Sequence, residues 1–295
     1  MVPVDELRPL AFSVAYRMLG SVAEAEDVVQ EALLRVHEAE GVERPEAFVT
    51  TVTTRLSIDV LRSARARRGT YVGEWLPEPL VGDDAPMLVE DEETISMAFL
   101  VLLERLTPEE RAVVVLREAF DYPFAEIAAM LGKPEANCRQ ILSRARRRID
   151  DDRPRFDPDP QERAALAERF LAAARDGDVD GLVSLLAPDV ALTGDGGGRA
   201  QAIARTLVGP RAVSRAIAAF SRRLASWEGI SFTPVTVNGQ PGFRLDDAEG
   251  RVVAVATLEI AGGRVRRVQS VVNPDKLRHL GPTSDLALRP GPASA

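Results

Sequence analysis

Asn137, Arg139, Gln140, Ser143, Arg144 and Arg147 lie in one stretch, PFAEIAAMLGKPEANCRQILSRARRRI, residues 123–149. Amide, hydroxyl and guanidinium groups in such a row can pair with base edges or grip phosphates. Their spacing places them on one side of a helix. Cys138, Ile141, Leu142, Ala145 and Ile149 recur at intervals of three and four on the other side. A shorter apolar pattern, Ile127, Ala128 and Leu131, precedes them. Gly132 stands where a tight helix–helix turn needs a positive φ. Pro134 suits the first turn of the next helix, where its missing N–H costs little. Small Ala128 lets the two helices approach closely. The pattern is that of a helix-turn-helix; an ordinary helical hairpin with a solvated basic face would share it.

Charge patterning adds weight to nucleic-acid chemistry. The chain of 295 residues has a formal net charge of −8, which excludes indiscriminate coating of nucleic acid. Its positive charge is nevertheless concentrated. Residues 62–68 hold four arginines and no acid, and 139–148 hold five and no acid. Two such runs on separate helical segments suit docking onto phosphates at defined places. A solvated helix end explains one run more easily than two.

Other chemistries find little support. Cys138 is the single cysteine and sits on an apolar helical face, so it reads as a small core residue. No internal disulfide can form, which fits a reducing cytoplasm. His37 and His279 are the two histidines, and neither has neighbours at metal-ligand spacing. No metal or cofactor is expected. The segment MVPVDELRPLAF lacks the features of a signal peptide, and no apolar run is long enough to span a bilayer.

The elements that must carry these residues divide the chain by composition. Residues 4–69 read as helix, broken near Gly20-Ser21 and 41–45. Ser21 with Glu24 forms a capping-box signature for a helix over 22–38. Its apolar stripe is Ala25, Val28, Val29, Ala32, Leu33 and Val36; its polar side carries Asp27, Gln30, Glu31 and Arg35. A helix from Pro45 to about Arg65 is expected to bury Phe48, Val52, Leu56 and Val60 or Leu61, leaving Arg55, Asp59 and Arg62 exposed. Residues 70–93 contain WLPEPLVGDDAP and read as a linker. Helix resumes over 93–106, and Thr107-Pro108-Glu109-Glu110 opens another that runs to Phe120. The helix-turn-helix completes a module over 94–150. A short linker, 151–160, follows. Residues 161–280 then alternate between helices and strands, with turns expected at Gly239-Gln240-Pro241 and Gly262-Gly263. That pattern implies helices against a curved antiparallel sheet. Residues 281–295 are rich in Pro, Gly, Ala and Ser and are expected to be disordered.

Three motifs in order, AEDVVQEALLRV, FVTTVTTRLSIDVLRSARARR and LTPEERAVVVLREAFDYPFAEIAAMLGKPEANCRQILSRARRRI, resemble an extracytoplasmic-function (ECF) RNA polymerase sigma factor. The resemblance implies two all-α sigma domains, the second with a helix-turn-helix. It implies a sigma factor that directs core RNA polymerase to specific promoter DNA and initiates transcription, making no bonds itself. The DVVQE segment is similar to the surface that docks on polymerase, which implicates Asp27, Gln30, Glu31 and Leu34. Residues 59–68 are similar to the segment that melts and reads the −10 element. That implicates Arg55, Asp59, Arg62, Arg65, Arg67 and Arg68. The last helix pair is similar to the −35 reader, implicating Asn137, Arg139, Gln140, Ser143, Arg144 and Arg147. Thr54 and Arg55 depart from the family, where Arg and Asn are frequent.

Residues 160–280 resemble a SnoaL-like, NTF2-type α+β cone domain, an extension carried by a subgroup of these sigma factors. Three motifs go with that resemblance: Trp75-Leu76-Pro77-Glu78-Pro79, Asp195-Gly196-Gly197-Gly198 and Asn273-Pro274-Asp275-Lys276-Leu277. They are expected to meet in space and regulate the joined domains. The glycine loop admits three readings: a ligand or interface loop, a site where Asp195 is a general base, or a plain hairpin tip. It is not a phosphate loop, since no Lys-Ser or Lys-Thr follows. Two further functions stay open on residues alone, a helix-turn-helix regulator with a ligand-sensing domain and a SnoaL-type enzyme fused to a DNA-binding module. A small-molecule ligand in the cone is left open.

Overall fold

The computed structural model describes residues 4–68, 71–82, 92–149 and 159–288. The chain forms two compact units. One gathers Met1–Thr70, Asp84–Ile95 and Phe99–Arg153; the other gathers Tyr71–Asp83, Ser96–Ala98 and Pro154–Ala295.

The first unit is helical. Helices α1 (Val4–Leu19), α2 (Val22–Glu38) and α3 (Pro45–Arg68) pack on one another. Leu7, Ala11, Val14, Ala15 and Met18 of α1 and Val28, Val29 and Ala32 of α2 are buried where these helices pack. Ser21 caps α2, its hydroxyl accepting from the Glu24 N–H at 3.2 Å. The buried side of α3 is turned by one position from the expectation. Val49, Thr50, Thr53, Thr54, Ser57, Ile58 and Leu61 are inward, while Phe48, Val52, Leu56 and Val60 are half-buried. Small threonines let α3 sit close to its neighbours, which the apolar pattern alone did not weigh.

The expected helix over 93–106 is two pieces, α4 (Glu92–Ile95) and α5 (Met97–Leu103), interrupted at Ser96. Helix α6 (Pro108–Glu118) opens with a full capping box between Thr107 and Glu110, which satisfies two otherwise orphaned N–H groups. Helices α7 (Phe124–Leu131) and α8 (Glu135–Ile149) form the helix-turn-helix. Gly132 has φ 63°, and the next N–H, of Lys133, donates to the Ala128 carbonyl at 3.0 Å. A side chain at Gly132 would strain that left-handed turn. Pro134 lies one residue before α8, its carbonyl accepting from Cys138.

The second unit is α+β. Helices α9 (Pro160–Asp176), α10 (Val179–Leu185) and α11 (Pro210–Leu224) pack with a six-stranded sheet. The strands are β1 (Leu186–Asp195), β2 (Leu207–Val208), β3 (Ser231–Val237), β4 (Gln240–Asp246), β5 (Val252–Ala261) and β6 (Arg264–Val271), in spatial order β2-β1-β6-β5-β4-β3. The sheet is mixed, correcting the antiparallel expectation: β1 and β6 run parallel, with Leu192 opposite Val268. Alternation of side chains reveals a strand but not the direction of its neighbour. The first hairpin turns at Asn238-Gly239, φ 51° and 74°, so Gln240 and Pro241 belong to β4. This is the two-residue turn that matches strand twist.

The tail also differs from expectation. Residues 282–288 are ordered: Val252 donates to Pro282 O, Ser284 donates back to Val252 O at 2.8 Å, and Gln201 donates to Ala287 O. Leu286 and Ala287 pack into an apolar cluster with Phe232 and Val272. Residues 289–295 lie outside the described residues.

Candidate DNA-reading surface and linker clamp

Helix α8 sorts its arginines by partner. Arg146 pairs with Glu118 at 2.8 Å and Arg148 with Glu110 at 2.7 Å, which ties α8 to α6. Arg139, Gln140, Ser143, Arg144 and Arg147 are exposed, and Asn137 is half-buried. The Arg139 guanidinium lies 4.5 Å from the Phe124 ring centre and pairs with Glu135. The face holding the base-reading candidates is therefore rigidly mounted, with one arginine already oriented by an aromatic ring.

On α3, Arg55, Asp59 and Arg62 occupy the exposed face, but two have partners in the helix-turn-helix module. The Arg55 Nε–H donates to the Met130 carbonyl at 2.8 Å. Arg62 reaches Glu109 at 3.1 Å and Asp59 at 3.4 Å. Lys133 closes on the other oxygen of Glu109 at 2.9 Å and, with Arg62, holds that carboxyl below its usual range. The Thr50 and Tyr122 hydroxyls meet at 3.1 Å. Arg111 is buried between the modules, donating to the Met18 and Leu103 carbonyls at 2.8 and 3.0 Å; burial pulls it down to about 9. Sequence reading missed Arg111, for which the apolar run that follows it, Ala112 to Leu116, was the one signal. Arg65, Arg67 and Arg68 fall on the last turns of α3, their side chains outside the described residues.

On α2, Asp27, Gln30, Glu31 and Leu34 are exposed, Leu34 by 57%. Glu31 also pairs with Arg35, one turn on, at 2.8 Å.

The second unit contains a buried polar cluster. Asp195, at the end of β1, is fully buried. One carboxylate oxygen accepts from the Tyr71 hydroxyl and from the Gly197 N–H at 3.0 Å. The other accepts from the Leu76 N–H at 2.8 Å and from the Lys276 ammonium at 2.6 Å. Lys276 also donates to the Leu76 carbonyl and lies over the rings of Trp75 and Tyr71, 4.2 and 4.9 Å from their centres. The Asn273 amide donates to the Tyr71 oxygen at 3.1 Å. Burial first, then the hydrogen bond to Asp195, pushes the Tyr71 phenol well above its ordinary value.

This cluster brings together the three motifs that the sequence associates with the extension, at 75–79, 195–198 and 273–277. Leu76, Pro77, Glu78 and Pro79 are buried, Trp75 half-buried. The segment continues along the sheet edge. Leu80 exchanges hydrogen bonds with Asn238 at 2.9 Å, Val81 bridges Val237, and the His279 ring bonds the Pro79 carbonyl at 2.8 Å. Residues 71–82 thus form a strap on the second unit. The glycine loop holds its shape through close approach: a Cβ on Gly197, φ 58°, would fall 2.2 Å from the Asn273 amide nitrogen. Pro274 is half-buried, Asp275 exposed and Leu277 buried; Asp275 pairs with Arg199 and Arg278 at 2.9 and 2.6 Å. Tyr71, Asn238 and His279 were missed in sequence; an aromatic before a Pro-rich stretch was the signal for Tyr71. Asp195 takes four donors on its two oxygens, and the glycine loop opens the long connection between β1 and its antiparallel neighbour β2. Among the described residues no group of His, Cys, Asp or Glu could hold a metal ion.

A helical unit with a helix-turn-helix, joined to an α+β domain, points to the class of two-module transcription factors with a fused extension. Comparison with known proteins gives the family. Residues 4–67 match the model for sigma-70 region 2, and 96–149 that for sigma-70 region 4. The chain is 39% identical over 285 residues to the "ECF RNA polymerase sigma factor SigJ" of Mycobacterium tuberculosis, covering 92% of this chain and 91% of that protein. It is 31% identical over 277 residues to the "Probable ECF RNA polymerase sigma factor SigI" of the same species, covering 92% of each. The crystal structure of Mycobacterium tuberculosis SigJ superposes with a TM-score of 0.76 at 36% identity, over 93% of this chain and 96% of that one. The chain belongs to the ECF RNA polymerase sigma factors, with a C-terminal α+β extension.

Proposed function

We propose that this protein directs core RNA polymerase to specific promoters as a non-enzymatic initiation factor acting in the cytoplasm. Region 2 lies in α1–α3 and region 4 in α5–α8. The observation that carries the reading is the exposed row on α8, Gln140, Ser143, Arg144 and Arg147, mounted beside the ring-held Arg139. These groups serve the −35 element, with Asn137 at their edge. Arg55, Asp59 and Arg62 with Arg65, Arg67 and Arg68 serve the −10 element. Asp27, Gln30, Glu31 and Leu34 dock on polymerase.

The extension acts through the strap. Residues 71–82 belong in sequence to the connection between region 2 and region 4, yet Asp195, Asn273 and Lys276 hold them on the second unit. Fixing part of a connection changes the distances at which two linked modules bind together. The extension thereby sets which promoter spacing is read. Run-off transcription with core polymerase tests both parts. The protein should support initiation from a cognate promoter, and Asp195→Asn should change the preferred distance between elements. No initiation from any promoter by the full chain with core polymerase would reject the sigma assignment. An unchanged spacing profile would reject the role of the strap.

A further inference from the structure

Helix α11 carries a third concentration of positive charge, which the promoter reading does not use. Residues 196–227 hold six arginines and no acid, in a chain whose net charge is −8. Arg211, Arg215 and Arg222 fall within about 40° of one another around the helix and span about 16 Å of its axis. Every exposed position of α11 is one of these arginines or an alanine, Ala212 or Ala219. Helix α9 of the same unit, by contrast, exposes Glu162 and Glu168 beside Arg169. Among the described residues no carboxylate pairs with Arg211, Arg215 or Arg222, whereas Arg199, Arg266 and Arg267 answer Asp275, Asp189 and Glu259. The pattern does not serve the helix itself. Arg211 sits in the first turn, where the dipole disfavours a cation, and no acid balances it there. Arg215, one turn on, repeats the charge, and like charges at that spacing destabilise a helix.

This face fits a regular polyanion better than a protein. The aromatic anchors typical of protein interfaces are absent from the exposed positions of α11. Small Ala212 and Ala219 leave the arginines clear to reach a sugar–phosphate backbone running close to the helix. Guanidinium forks match phosphate oxygens, and duplex DNA presents a negative charge about every 1.7 Å of its axis. DNA is also within reach of the unit. Pro160, which opens α9, follows Ile149, which ends α8, by eleven residues, at most about 40 Å of chain. Helix α11 packs with α9. A duplex held by α8 is therefore presented to α11 at a raised effective concentration.

We propose that Arg211, Arg215 and Arg222 form a phosphate-binding surface through which the second unit grips the backbone of duplex DNA without reading its sequence. The inference extends the promoter reading above, but its test uses neither polymerase nor a promoter. Failure here leaves that reading standing, and failure of run-off initiation leaves this surface standing. Binding of the full chain to a fluorescent duplex of unrelated sequence is measured by anisotropy over a series of salt concentrations. Each phosphate contact adds about 0.9 to the slope of log affinity against log salt. The triple variant Arg211→Ala, Arg215→Ala, Arg222→Ala should lower that slope by about 2 to 3 and weaken binding at low salt. The same three positions changed to lysine should keep most of both. If the triple variant does not fold, Arg215→Ala alone should lower the slope by about 0.9. Ala219→Cys, carrying an aryl azide between Arg215 and Arg222, should crosslink to the duplex on illumination; the native Cys138 is buried. No binding of the unaltered chain at low salt overturns the surface, as does an unchanged slope in the folded alanine variant. Crosslinks that form only to a second copy of the chain overturn it in favour of a protein partner.

Discussion

The Lys276 ammonium lies 2.6 Å from the Asp195 carboxylate, although 81 positions separate them in the chain. Both are buried, Asp195 completely. Neither ion would leave water for the other alone, since desolvation opposes the attraction. The Gly197 N–H and the strap supply the remainder, the strap giving the Leu76 N–H and the Tyr71 hydroxyl for the carboxylate and the Leu76 carbonyl and two aromatic faces for the ammonium. The pair and the strap therefore stand or fall together.

Lys276→Met leaves Asp195 buried and uncompensated. The second unit should lose about 3–5 kcal/mol, the usual cost of removing one partner of a buried pair. Lys276→Met combined with Asp195→Leu should cost less than the sum of the two. Urea unfolding followed by tryptophan emission measures both. Cleavage after Glu74 by a glutamyl endopeptidase should quicken in the single variant if the strap has been released. Unchanged cleavage in a destabilised variant would show that the strap is held by other contacts.

The clamp should weaken in alkali. The neutral Tyr71 phenol donates to Asp195, and the fold raises its pKa above the ordinary 10. A group raised in the folded state contributes its full stability below the unfolded value and loses it as pH climbs toward the folded one. The contribution is thus intact below pH 10 and declines above it. The difference in phenolate absorbance between the native chain and Tyr71→Phe isolates this tyrosine. It should titrate later than a free phenol; a midpoint near 10 would contradict the clamp geometry.

Arginines of α8 should separate into two groups. Arg144→Ala should weaken promoter binding; where the side chain reads a base edge, about 1–3 kcal/mol and a changed base preference follow. Arg146→Ala should leave base preference intact and loosen α8 from α6, because its partner is Glu118. Binding to a −35 library at two salt concentrations distinguishes them. Equal shifts in preference would show that Arg146 abandons Glu118 on DNA.

Reversing charge at Asp27 and Glu31 should weaken capture of core polymerase with little loss of helix. The Glu31–Arg35 pair is a surface pair one turn apart, worth about 0.3–0.5 kcal/mol. Pull-down with core polymerase and circular dichroism together provide the measurement. Normal capture with normal helicity would remove α2 from the docking surface.

Arg55 bonds the Met130 carbonyl in the free protein, so its use on DNA requires that bond to break. Arg55→Ala should speed amide exchange at the end of α7 and reduce permanganate reactivity at −10. Faster exchange with normal strand opening would make Arg55 a tether between the modules only.

Local chemistry made much of the first unit legible from the sequence. Ser21, Thr107-Pro108 and Gly132 are helix punctuation whose meaning is set within one turn, and the apolar stripe of α8 needs no knowledge of what it packs on. The exposed rows on α2 and α8 followed from the same periodicity. The second unit's helices and strands were also readable, because alternation and turn glycines act locally. Direction and partners were not. Whether β1 lies parallel or antiparallel to β6 depends on how the chain crosses over, and no residue in β1 encodes it. The tail at 282–288 looked unstructured by composition but is ordered by carbonyls and N–H groups offered by Val252 and Gln201. Likewise the tertiary structure decided that Arg55 meets Met130, that Arg111 reaches Met18, and that Tyr71 and Lys276 close on Asp195. Each bond joins residues remote in the chain. A buried charge gains its stability from partners that only the folded chain assembles.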